Sequence, residues 1–161
     1  MGAGAEGCSR CDRGGDRQVS GIGIEQQVAG DWLYDTLSGD SIIAAEAVGG
    51  VWDGPATSTT PYPILRFDLQ SALTVRGNSF FEIMQNMIWL VRMVGAGGSY
   101  VPLEPGAQQI QSLLHGVSAV PVTDGIIESS AREQTFRQSR VDGGREFRHL
   151  GGLYRIYVQG S

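Results

Sequence analysis

The chain contains no lysine; all 12 basic residues are arginine. Arginine favours planar ion pairs and stacked contacts, although a coding bias gives the same composition with no physical cause. Cysteine is nearly as scarce, with Cys8 and Cys11 the only two. Their Cys-x-x-Cys spacing is half of a zinc site or a redox pair. No second pair follows, His115 and His149 are distant in sequence, and no strand or helix pattern flanks the motif. The expectation is therefore no metal and no cofactor, with Cys8 and Cys11 a weak metal candidate. Long apolar runs are missing too. The longest clean one is Met87–Val91, far short of the roughly 20 residues of a membrane span. With no apolar stretch at the N-terminus, no secretory signal is expected. The reading is a soluble protein made in a cytoplasm. A strong positive balance is also lacking: the formal charge is -5, which argues against a general nucleic-acid coat.

What the chain has in excess is glycine, 24 of 161 residues, roughly twice the usual share. Much of it lies at the start. Residues 1–23 are rich in Gly, Arg, Asp and Ser and hold too little apolar surface to offset their ordering entropy. They read as a flexible N-terminal arm preceding one domain over residues 24–161.

Within that domain the apolar spacing changes period. Ile24, Val28, Trp32 and Leu37 recur at helical spacing, ending at Ser38-Gly39, and Asp40 or Ser41 can cap a short turn after them. Val51-Trp52 suits a short strand, and the proline-rich stretch 53–63 a loop. Ile64–Val75 alternates, with Leu65, Phe67, Leu69 and Leu73 on one side and Arg66, Asp68 and Gln70 on the other, as a half-buried strand does. Arg76–Ser79 reads as a turn. Phe80–Val94 predicts a longer strand, apolar on both faces from Met87 onward. A helix is expected between Ser99 and Gly116, with Ile110, Leu113 and Leu114 on its buried stripe. Gly125–Phe136 and Glu146–Gln159 are then strands, separated by a polar turn over 138–145, with a bulge expected at Gly151-Gly152. The predicted fold is α+β: a four-stranded antiparallel sheet of two hairpins with two main helices packed on one face.

Catalytic signatures are weak. Gly95–Ser99 lies between a strand and a helix, as a phosphate cradle would. The dinucleotide fingerprint needs glycine at Tyr100, however, and the other phosphate loop needs a lysine. Asp31, Asp35 and Asp40 are more simply a solvated face than an acid–base set. His115 and His149 have no nucleophile beside them in a recognisable turn. No catalytic residues and no enzymatic activity are expected. The densest charge cluster, including Arg132, Glu133, Arg137, Arg145, Glu146, Arg148 and Arg155, suits a mixed-charge interface or equally a solvated hairpin, since a single exposed pair contributes only about 0–1 kcal/mol. These seven residues, with Met87 and Trp89 on the apolar strand, are the interface candidates.

Three stretches carry a family resemblance. The run from Arg132-Glu133-Gln134-Thr135-Phe136-Arg137 through Asp142-Gly143 to Phe147–Val158 resembles the closing hairpin of bacteriophage tail-completion proteins, the tail terminators and tail-to-head joining proteins of long-tailed siphophages. Trp52–Pro55 before Pro61–Pro63, and Gly97–Tyr100 before the second helix, look like that family as well. The resemblance covers residues 24–159 and leaves out the Cys8/Cys11 arm. It implies a structural virion protein in the tail or neck, assembled in the host cytoplasm as a hexameric ring that caps the tail tube. Its implied partners are copies of itself, the tail tube protein, and a head–tail connector or head-completion protein. Genomic DNA would pass through the bore without sequence-specific binding, and no membrane is involved. The alternative is a head-completion or neck protein of the same assembly, with a small nucleotide- or ligand-binding module ranked below it.

Overall fold

A computed structural model of the chain describes residues 23–76 and 82–160. Two helices open it, α1 (Ile24–Ser38) and α2 (Ser41–Glu46), followed by strands β1 (Val51–Asp53), β2 (Ile64–Arg76) and β3 (Glu82–Ala96). A 3-10 turn at Val101–Leu103 runs into α3 (Glu104–Leu114). The chain closes with β4 (Val117–Val122), β5 (Gly125–Asp142) and β6 (Arg145–Gly160).

The six strands form one curled sheet in the order β1-β2-β3-β6-β5-β4. This corrects the expected four-stranded antiparallel sheet. The two hairpins are present and antiparallel, β2 with β3 and β5 with β6. They are joined through β3 and β6, from Gln85↔Val158 to Ala96↔Phe147. The additional strands lie at the edges. β1 pairs parallel to β2 at Leu65–Phe67, which makes the sheet mixed, and β4 pairs with β5 at Gly125–Ser130. The helix count is corrected as well, since α2 stands as a third small helix. Sequence pattern does not reveal β4 because Ser118, Ala119 and Pro121 break its alternation, and Ala119 has a positive φ of 51°.

The helices cover one face of the sheet. Val28, Ala29, Trp32 and Leu33 of α1 and Ile110 and Leu114 of α3 join a single buried cluster with Met87, Trp89, Val91, Met93, Tyr154 and Ile156. Apolar burial of this kind is the main stabilising term of the fold. Asp40 caps α2 by accepting from the backbone N–H groups of Ile42 and Ile43, both at 2.9 Å. These bonds, that to Ile43 foremost, hold its carboxyl below the ordinary range. α3 ends where Gly116 takes a φ of 81°.

The expected polar turn at 138–145 contracts to two residues. β5 continues to Asp142, which pairs with Arg145, and Gly143 and Gly144 have φ of 56° and 77°. Both values suit the twist-matched two-residue hairpin turn, so the polar residues before it remain in the strand. No bulge forms at Gly151-Gly152, where pairing with both neighbours is continuous. A side chain at Gly151 would instead collide with the Val91 carbonyl and the Arg92 backbone, so the glycine serves a close approach of β6 to β3. The register shifts lie elsewhere, in β2 between Leu69 and Ser71 and between Val75 and Arg76, and in β5 between Ile127 and Ser129 and between Arg132 and Gln134.

Candidate functional site: two open sheet edges and a helix-free face

The outer strands are too short to close the sheet. β1 covers β2 only up to Phe67, so the outer edge of Asp68–Arg76, the side away from β3, has no strand beside it among the described residues. β4 covers β5 only up to Ser130, and just beyond it the Arg132 backbone N–H donates to His115 Nδ1 at 3.1 Å. From Glu133 to Asp142 the outer edge of β5 has no strand beside it among the described residues. The registers Asp68↔Leu90, Leu90↔Leu153 and Leu153↔Gln134 put the starts of these two free edges at one height. From there they run to opposite ends of the sheet. Each leaves outward-facing backbone groups without a partner strand among the described residues, a template for another chain.

The expected interface residues divide between the two faces. Arg137 and Arg148 lie on the helix side, with their guanidinium groups 4.0 and 5.3 Å from the Tyr100 ring. Arg148 also pairs with Glu146 at 2.6 Å and donates to the Gly98 carbonyl. The turn after β3 is thus tied to the hairpin through Gly98, and the Gly95 backbone lies against Leu103. The Arg132 stem runs over Gly152. It sits beside Tyr154, whose hydroxyl is pushed up to about 12 chiefly by burial. On the opposite face Arg155 pairs with Glu133 and donates to Asn86 Oδ1 at 2.8 Å. Arg145 lies 5.6 and 5.7 Å from the rings of Tyr62 and Phe147. Met87 and Trp89 are buried in the chain's own core with residues of α1, so the exposed face of β3 is the other one. Cys8 and Cys11 lie outside the described residues. No group of three or more His, Cys, Asp or Glu able to hold a metal occurs among the described residues.

The helix-free face holds a cluster that sequence reading did not assemble. Arg66 donates to Asp68 Oδ1 from Nε at 3.0 Å and from Nη2 at 2.6 Å, and Arg92 Nη2 donates to Asp68 Oδ2 at 2.9 Å. The Arg92 side chain retains 12 % of its exposure, and its guanidinium lies 5.6 Å from the Phe136 ring. Its Nε and His149 Nδ1 are buried without a hydrogen-bond partner among the described residues. His149 is held down to about 4, first by burial and then by Arg92, Arg66 and Arg140, against the opposing pull of Asp68. The imidazole is therefore neutral near pH 7. The sequence offered one signal: Arg92 is the only charged residue in the apolar run from Met87 to Val94.

A concavity of about 1120 Å³ opens between α1 and the β4–β5 turn, lined by Asp31, Trp32, Tyr34, Asp35 and Asp124 among others. Asp31 and Asp35 are exposed at its wall and Asp40 is occupied as a cap, so the three carboxylates do not form one site. No helix among the described residues is long and apolar enough to cross a membrane.

No family model and no curated protein matches the chain. Among solved structures, the fold is similar to a chain in the virion of a native gene transfer agent particle. The TM-score is 0.59 at 17 % identity, covering 83 % of this chain and 98 % of that one. At this identity the likeness is one of fold: nearly all of that virion chain superposes on a curled sheet with helices on one face.

Proposed function

We propose that this chain is a non-enzymatic structural subunit of a tailed phage or phage-like particle, forming a ring, hexameric in our reading, that ends the tail tube and joins it to the head connector. The observation that carries this reading is the fold shared over 98 % of a virion chain's length. The open edges supply a physical rationale for assembly. In the order β2-β3-β6-β5 each neighbour is antiparallel, so β5 of one copy, offset along the strands so that its free segment meets that of β2 in the next, would also be antiparallel. One edge meeting a different edge is a head-to-tail contact, which closes into a ring when the rotation allows. The exposed Leu73 on β2, 65 % accessible, lies beside that edge and would lose water in such a contact. Copies of the chain, the tube protein, a connector or head-completion protein, and DNA in the bore are the partners this reading requires.

The test is location. Particles carrying a tagged full chain should show density for it at the head-proximal end of the tail, and purified headless tails should retain it. Retention on heads but not on headless tails would assign it to head completion instead. Absence from particles would end the proposal.

A further inference from the structure

The chain as a whole is acidic, yet the helix-free face is not. On its lower half, toward the Gly143-Gly144 turn, strand alternation and register place Arg66, Arg92, Arg140 and Arg145 on one surface. Against these four guanidinium groups stand two carboxylates on the same surface, Asp68 and Asp142. Asp68 already receives both Arg66 and Arg92, and the Nε of Arg92 is left without an acceptor among the described residues. Tyr62, Phe136 and Phe147 stand among them, with Tyr62 and Phe147 in contact at 5.2 Å and Arg145 lying near both rings. Acidic residues concentrate elsewhere: Asp31, Asp35 and Asp124 line the concavity on α1.

We infer that this arginine–aromatic surface contacts the phosphodiester backbone of double-stranded DNA without reading its sequence. Planar guanidinium groups match phosphate oxygens bidentately, and rings that hold arginine stems fix their direction at little entropic cost. The contact works by charge, and Asp68 limits its strength by neutralising part of it. A weak, salt-dependent grip lets a strand be held and still slide. An acidic protein surface is the competing occupant, but the aromatic groups here buttress arginines rather than form an open apolar platform, which favours a phosphate track over a protein core contact. The inference rests on the charge of this face rather than on the tail placement, so the two can fail separately.

The test uses the full chain and a labelled duplex of about 20 base pairs, titrated by anisotropy from low to moderate salt. The expected result is binding that falls linearly in log–log form with salt. In an Arg140→Gln/Arg145→Gln variant, two exposed positions, the slope should be shallower by about two and affinity at low salt lower by roughly tenfold or more. Arg132→Gln, on the helix side, should bind as the parent does, and thermal melting should confirm that both variants fold. Three results would each overturn the inference: no binding at low salt, unchanged binding in the double variant, or equal competition by polyglutamate. Full displacement by millimolar inorganic phosphate at matched ionic strength would point to a discrete oxyanion site and would also overturn it.

Discussion

Arg66, Asp68, Arg92 and His149 show how a local charge pattern acquires meaning only from its neighbours. Asp68 compensates Arg66 and Arg92, while His149 beside them stays neutral because burial and three arginines oppose its proton. The folded imidazole titrates near 4, below the ordinary value of about 6.5. The unfolded chain therefore binds more protons between these values, and stability is lost as pH falls from about 6.5 toward 4. Chemical denaturation at pH 7 and pH 5 should show a loss on the order of 1–2 kcal/mol, and His149→Gln should flatten that dependence. An unchanged slope in the variant would remove His149 as its source. Asp40 offers a second check at this scale. Asp40→Ala removes two N-terminal hydrogen bonds of α2 and should cost about 1 kcal/mol by the same assay.

At the scale of elements, the hairpin β5–β6 depends on a two-residue turn with both residues at positive φ. A β-branched residue resists that conformation, so Gly144→Val should destabilise by about 1–2 kcal/mol, read as a lowered denaturation midpoint. α1 is held chiefly by burial. Trp32 is 8 % exposed and belongs to the main cluster, so Trp32→Ala should cost roughly 3–5 kcal/mol. The existence of α1, α3 and the four long strands was legible because each carries a local apolar pattern or is bounded by turn residues, although register shifts interrupt the alternation in β2 and β5. Ile64–Leu69 shows this, since its predicted polar side, Arg66 and Asp68, is the helix-free face observed; beyond it the register shift after Leu69 turns Leu73 away from the core side on which it was expected, leaving it exposed. β4 was not legible, because small residues and Pro121 blur its alternation. The length of β5 was not legible either: residues 138–142 hold a single apolar side chain, the exposed Val141, and what makes them strand is pairing with Arg145–His149.

At the scale of the whole fold, the consequential feature is that β1 and β4 stop short and, among the described residues, leave free edges running to opposite ends of the sheet. A charge placed beside the β2 edge should therefore separate folding from assembly. Leu73→Asp, at an exposed position, should change stability by no more than about 0.5 kcal/mol while reducing incorporation into particles. Normal incorporation would count against the edge contact. The main core runs from Val28 to Val158, so removal of residues 1–22 should leave a cooperative melt.

The sequence by itself determined the type of most elements, the two hairpins and the helical cover on one side, because hydrophobic period and turn chemistry are local properties. The candidate site was legible only in pieces. The charged closing hairpin stood out in the sequence, but its sorting onto two faces did not. Tertiary structure decided that the sheet has six strands, that its edges are left open diagonally, and that arginines from β2, β3, β5 and β6 share one face of an acidic protein. Register between distant strands sets all three, and register depends on how faces bury against each other rather than on any single segment.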